Sequence, residues 1–200
     1  MKKIPILFAM LLFSSSAISS IAQVADTFKD PRDGKVYKTV KIGNQTWMAE
    51  NLAYKAGSGC WAYNNDQGNV ATYGYLYNWE TAKHVCLTGW HLPSDAEWTQ
   101  LTTYLGGEDV AGGKLKEAGT AHWKSPNKGA TNESGFTAIP VGYRTSSGTF
   151  EDVGNYGDWW SSSEGNTDTA WCRFLDYFYT SVTRADDGKN RGFSVRCLRD

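Results

Sequence analysis

Apolar and polar positions divide the chain into elements of two periods. Over KVYKTVKI (35–42), Val36, Lys38, Val40 and Ile42 fall on one face of an extended strand. Three of the four are apolar, which marks that face as the core side. QTWMAENL (45–52) is a second β-rich run, and only Gly43-Asn44 separates the two, so the pair reads as a tight hairpin. Residues 55–72 are rich in Gly and Asn, lack a period and read as a long loop. In YGYLYNWETAKHVC (73–86), Leu76, Trp79, Ala82 or Lys83, and Cys86 recur at helical spacing, with Gly89 just past the end. This predicts a first helix with Cys86 on its apolar side. Trp98, Leu101 and Leu105 predict a second helix ended by Gly106-Gly107, and residues 111–118 a short third. From 119 to 169 the chain is turn-rich, with brief apolar runs at 136–143 and 158–163. AWCRFLDYFY (170–179), TSVTRA (180–185) and GFSVRCLR (192–199) read as closing strands, with a turn at Asp187-Gly188. In the last of them Phe193, Val195 and Cys197 alternate with Ser194 and Arg196, so the apolar three are expected inside and the polar two outside.

The corner between the first two helices, CLTGWHLPSDAEW (86–98), holds the residue types of an active site. Local chemistry gives them structural work. Ser94 and Glu97 have the spacing of a capping box, and Asp95 sits where the helix dipole favours an anion. His91 has no nucleophile or partner in the surrounding pattern, and we read it as a structural histidine.

The order of elements is hairpin, two helices, a long loop region and terminal strands. It describes an α+β domain with two main helices, long loops and a small antiparallel sheet that joins the chain ends. The N-terminus modifies the domain boundaries. Met1-Lys2-Lys3 precedes an apolar run from Ile4 to Phe13, and Ser20 and Ala22 place small residues before a cut at Gln23. This is the layout of a secretory signal peptide, and the run is shorter than the ~20 residues that span a bilayer. We therefore expect a signal peptide at 1–22, a short leader at 23–29 and one domain at 30–200. With no cysteine near the cut, the product is expected to be secreted, periplasmic or at the cell surface rather than lipid-anchored. Residues 23–200 carry 18 basic against 21 acidic side chains. That balance gives no electrostatic footprint for nucleic acid, and no second apolar segment predicts membrane insertion.

Nine Trp, eleven Tyr and eight Phe suit an irregular core filled by large rings, and also suit stacking on sugar faces. The four cysteines, Cys60, Cys86, Cys172 and Cys197, fit an oxidising compartment, and their spacing leaves all three pairings open. A zinc site would want C-x-x-C or H-x-x-x-H spacing, which the chain does not contain.

Six segments in this order, DGKVYKTVKIGNQTWMAENLAY, YGYLYNWETA, GWHLPSDAEW, ESGFTAIPVGYR, DWWSSSE and GFSVRCLRD, resemble the Fibrobacter succinogenes major paralogous domain, a family of exported bacterial proteins. The resemblance spans roughly residues 30–200. More distantly, the cysteine, GWHLPS and acidic helix resemble the same corner of C-type lectin-like domains and of the formylglycine-generating enzyme group. That likeness implies a C-type lectin-like fold and a Cys86–Cys197 disulfide. Family members often carry a second cysteine after the position of Cys60, where this chain has Val70. Cys60–Cys172 is then expected as a substitute bridge, or both are free thiols.

The expected function is a non-catalytic binding module that takes a glycan or a cell-envelope protein through its loops. Trp61, Trp123, Tyr156 and Trp171 are the candidate contact rings, and no cofactor or metal is expected. The Glu-Pro-Asn, Gln-Pro-Asp and Trp-Asn-Asp motifs of calcium-dependent sugar binding are absent. Asn64-Asn65-Asp66 and Asp186-Asp187 are spots where a hard cation could sit, though such runs are more often turns. The alternatives are a structural or adhesive interaction domain, or an enzyme related to the formylglycine-generating group. The last lacks its redox carrier, because TSVTRADDGKNR (180–191) contains no cysteine.

Overall fold

A computed structural model describes residues 25–200. The predicted signal peptide lies outside the described residues. Residues 25–29, expected as part of a leader, belong to the fold. They form strand β1 (Ala25–Lys29), which pairs antiparallel with β2 (Val36–Ile42). Phe28 anchors it, stacked on Tyr37 and on Trp90 with centroids 5.4 and 4.6 Å away.

β2 turns into β3 (Gln45–Met48) through Gly43-Asn44, with Ile42 opposite Gln45. Gly43 has φ +59°, the left-handed value that the first position of a II′ turn requires. The predicted single core face is corrected: Val36 and Lys38 are exposed, whereas Tyr37, Thr39, Val40 and Ile42 are buried. The sheet has a core on each side. Tyr37 and Met48 join one cluster with Leu52, Tyr77 and Trp160, while Val40, Ile42 and Trp47 join another with Trp98, Leu101 and Trp159.

The 55–72 region is more ordered than its composition predicts. It contains β4 (Cys60–Ala62), two short 3₁₀ turns and the single-turn helix α1 (Val70–Tyr73). β5 (Tyr75–Tyr77) pairs with β4, and Tyr77 exchanges backbone bonds with Phe193. The first predicted helix is therefore shorter than expected. α2 spans Trp79–Val85 and is capped by the Asn78 side chain, which accepts from the Thr81 amide. It ends before Gly89, which turns the connector instead, at φ +83°.

β6 (Trp90–His91) leads into α3 (Asp95–Tyr104), where the capping box is complete. The Glu97 amide donates to Ser94 Oγ at 3.3 Å, and the Ser94 amide donates to Glu97 Oε2 at 2.7 Å. His91 is held by Glu97 at 3.0 Å and Asp200 at 2.6 Å, in the structural role expected of it. Trp98, Leu101 and Leu105 are buried, and Gly106-Gly107 ends the helix with positive φ at both glycines. The third helix, α4, covers Glu108–Leu115, three residues earlier than predicted.

The second half builds a small hairpin, β7 (Tyr143–Arg144) and β8 (Phe150–Glu151), and a three-stranded sheet. That sheet consists of β9 (Tyr156–Glu164), β10 (Thr169–Asp176) and β11 (Val182–Gly188), in the order β11-β10-β9. The brief apolar run at 158–163 is thus the middle of a nine-residue strand. β12 (Leu198–Arg199) closes the chain between β3 and β6, so the five-stranded sheet runs β1-β2-β3-β12-β6.

A sheet joins both ends of the described chain as predicted, and the Cys86–Cys197 disulfide that staples it is also as predicted. The alternation predicted for the last strand is not found. Phe193 to Leu198 are all buried, because the segment threads between the two core clusters. Arg196, expected outside, donates to Asn51 Oδ1 and to the carbonyls of Met48, Phe136 and Thr137, which together engage its buried guanidinium. The architecture is mixed helix and small antiparallel sheets, an α+β fold. Among the described residues no helix is long and apolar enough to cross a membrane.

Candidate functional site

The register of the three-stranded sheet sorts its side chains into two faces. Phe174 lies opposite Asp158, and Cys172 lies opposite both Trp160 and Ala185. Residues paired across a ladder point the same way, so Tyr156, Asp158, Cys172, Phe174, Ala185 and Asp187 share one face. Trp159, Leu175 and Val182 point the other way, into the core beside α3.

The first face is the floor of a cleft of about 250 Å³. Its far wall comes from Tyr143, Asp152, Arg191 and Phe193. Two edge-to-face ring pairs frame it: Tyr156–Phe174 with centroids 6.1 Å apart and Tyr143–Phe193 at 6.3 Å, both at 86°. The rim depends on Gly142, whose φ is +67° and where an added Cβ would lie 2.0 Å from the Glu151 carbonyl oxygen.

Charge in the cleft is lopsided. Arg191 is its one cation among the described residues and is engaged by Asp187, Nε to Oδ1 at 2.9 Å. Asp152 is held at φ +64° and accepts from Asn155. Asp158 is different. It is 7 % exposed, and its Oδ2 has no hydrogen-bond partner among the described residues. Burial, then the neighbouring charges of Asp187 and Asp152, push its carboxyl well above the usual range, with Arg191 opposing. The Cys172 thiol donates to the Ala185 carbonyl at 3.3 Å, and burial first and Asp158 second push its pKa up, so it is an inert floor rather than a nucleophile.

Two other depressions carry less chemistry. One of about 470 Å³ lies over α2, between Tyr54 and His84. Another of about 390 Å³ has Arg196 at its base, but four of the five N–H donors of that guanidinium are taken by the bonds described above. Asn127 Oδ1 and Arg173 Nε are the other buried side-chain atoms without partners among the described residues, and neither residue lines one of these three depressions.

The four rings expected to make contact are not brought together. Tyr156 lies in the cleft. Trp61 is half-buried beneath the Arg144 guanidinium, 4.0 Å from its ring centroid. Trp171 is on the opposite sheet face from the cleft and is covered by Arg184 at 3.4 Å. Trp123 is corrected outright: it is 1 % exposed, donates to the Ala138 carbonyl and belongs to the core. Cys60 and Cys172 are not bridged. Both are free thiols, and Cys60 donates to the Ala56 carbonyl instead.

The possible cation spots are turns and ion pairs. Asp66 accepts from the Gly68 amide, Asp186 from the Thr169 hydroxyl, and Asp187 binds Arg191. Among the described residues no group of three or more His, Cys, Asp or Glu side chains is arranged to hold a metal ion.

The sequence reading missed Tyr143, Phe174, Phe193, Asp152, Asp158, Asp187 and Arg191 as a site. One signal was present. In YGDWW (156–160) a lone acid sits inside a run of large rings, where a strand buried on both faces has no ordinary use for a carboxylate.

Residues 40–199 match the family model described as the Fibrobacter succinogenes major domain. The chain belongs to that family. The match takes in every residue of the cleft, from Tyr143 to Phe193, and both cysteines of the disulfide. The Fibrobacter succinogenes major domain is thus the cleft-bearing unit itself. No curated protein and no solved structure matches the chain.

Proposed function

We propose that the protein is an exported, non-catalytic binding module with a C-type lectin-like architecture, which holds a glycan end group in the Asp158 cleft without calcium. The observation that carries this reading is a buried, unpartnered carboxylate set between two ring pairs. Rings offer apolar faces for a pyranose, and the acids offer acceptors for its hydroxyls. Pockets that enclose a whole drug-sized ligand measure ~300–1,000 Å³. At about 250 Å³ the cleft suits one ring or end group rather than a length of polymer. Export is supported by the N-terminal pattern and by the disulfide. Sequencing the mature protein should give Gln23 as the first residue.

The test of binding is a screen of the purified protein against glycans and polysaccharides, with and without a chelator. Specific binding that survives chelation, is weakened by Tyr156→Ala and releases no reducing ends supports the proposal. Chelator-sensitive binding, or hydrolysis, would replace it.

A second reading has one observation in its favour. Phe178 and Tyr179, at the turn between β10 and β11, are 49 % and 55 % exposed with rings 5.8 Å apart. Adjacent exposed rings suit an adhesive contact with a cell-envelope protein. Cross-linking to a partner that is lost in a Phe178→Ser/Tyr179→Ser variant would support it.

A further inference from the structure

The glycan reading leaves open what the end group carries, and the cleft's charges bear on that. Among the described residues, Asp152, Asp158 and Asp187 face one cation, Arg191, whose charge is already directed at Asp187. Any anionic group entering would meet this excess of acid. Burial holds the proton on Asp158 in the free protein; drawing on its carboxylate takes a ligand that both hydrogen-bonds to it and offsets its charge, and a neutral hydroxyl does only the first. An ammonium does both jobs, because it donates charge-assisted hydrogen bonds and cancels the charge. The walls favour the same choice. The faces of Tyr and Phe rings attract a cation within ~6 Å of their centroids. This rim already uses that chemistry, with the Arg191 guanidinium 5.3 Å from the Tyr143 centroid.

We propose, on the basis of the glycan reading, that the cleft is selective for an amino sugar with a free amine, its ammonium seated against the Asp158 carboxylate and flanked by the rings of Tyr143, Tyr156, Phe174 and Phe193. The motivating group is the Asp158 carboxylate: the residue is 7 % exposed on the floor of the cleft, and its buried Oδ2 meets no donor among the described residues. Asp158 is a binding residue in this scheme, and no bond is made or broken. N-acetylation of the same sugar removes the charge and adds bulk, so the acetylated form is disfavoured twice.

The experiment is calorimetric titration of the purified protein, in ~0.15 M salt where long-range surface attraction is screened. Three oligomers of equal length are compared: β-1,4-linked glucosamine, its N-acetylated counterpart and a neutral glucose oligomer. The glucosamine oligomer is expected to bind at least about tenfold tighter than the other two, a difference of ~1.4 kcal/mol. Asp158→Asn, nearly identical in shape, should abolish that preference by weakening the cationic oligomer alone. Tyr156→Ala, a change at the half-buried rim, should weaken all three and serves as the second variant. Equal affinities, or a preference that Asp158→Asn leaves intact, would overturn the ammonium site while leaving a glycan cleft standing. No measurable binding of any oligomer, or binding indifferent to Tyr156→Ala, would overturn the inference and the glycan reading together.

Discussion

Asp95, in the first turn of α3, binds Arg173 on the central strand of the three-stranded sheet, Oδ1 to Nη1 at 2.7 Å. Arg173 is 1 % exposed, so this pair rivets helix to sheet from within. The same carboxylate takes Arg184 from the edge strand at 2.9 Å. Burial disfavours its charge, but the two guanidinium groups outweigh that and hold its pKa below the ordinary value. Asp95→Asn should cost ~3 kcal/mol or more, because it strands a buried guanidinium. Arg184→Ala removes only the exposed partner and should cost under ~1 kcal/mol. Denaturant titration of both variants tests the difference, and equal costs would refute this division of roles.

The Asp158 cleft predicts a gain of stability on mutation. A carboxyl whose folded-state pKa is raised keeps its proton in the native state after the unfolded chain has lost it. Native stability then falls as pH rises above the ordinary carboxylate range, about 4, and goes on falling toward the raised value. Asp158→Asn should therefore unfold at a higher temperature than the wild type at pH 7, by ~1–3 kcal/mol in free energy. The advantage should disappear near pH 3.5. A destabilised Asp158→Asn at pH 7 would mean that the carboxylate is satisfied in the folded protein.

His91 has the opposite pH signature. Burial opposes its protonation, but the hydrogen bonds it donates to Asp200 and Glu97 win and raise its pKa above the usual value. Its contribution is complete below the unfolded-state value, ~6.5, and is lost as pH rises through the folded-state value. His91→Gln should lower the melting temperature more at pH 5.5 than at pH 8.5. Equal losses at both would show that the imidazole acts by shape alone.

Ser94→Ala should cost ~1 kcal/mol, the usual worth of an N-cap. It should leave glycan affinity unchanged, because neither Ser94 nor Glu97 lines the cleft. A loss of affinity without loss of stability would return the 86–98 corner to the list of functional residues.

Reduction of Cys86–Cys197, or paired replacement by serine, should lower stability by ~2–5 kcal/mol, with a chain-entropy ceiling near ~4–5 kcal/mol for a loop of this length. Denaturation with and without reductant measures it. The free thiols supply an internal control: Cys172→Ala should show the same reductant dependence as the wild type.

Where an element is specified by neighbours in the chain, the sequence was readable. The Gly43 turn and the Ser94–Glu97 box are complete within a few residues, and both appear as expected. The failures share a cause. Leu76, Trp79 and Cys86 imitate a helical stripe, but Tyr75–Tyr77 are all buried as a strand held by β4 and by Phe193. Arg196 alternates with apolar neighbours and so looks external, yet carbonyls from Met48, Phe136 and Thr137 enclose it. In each case contacts from distant sequence override the local period. The cleft is the extreme instance. Asp158 meets Tyr143, Phe174 and Arg191 only through the register of β9 on β10 and the return of the closing segment, so no local spacing announces it. The resemblance identified the family and the disulfide, and neither points to that carboxylate.

The disulfide also decides how the molecule answers tension. A pull on the two ends of the described chain runs along the residues before Cys86, crosses the sulfur bridge and leaves through Leu198 to Asp200. The cysteines are 111 residues apart, and the chain between them is a covalent bypass that bears no load. Every residue of the cleft, from Tyr143 to Phe193, lies inside it. Tension that peels β1 from the edge of the five-stranded sheet therefore has no covalent path through the segment that carries the cleft.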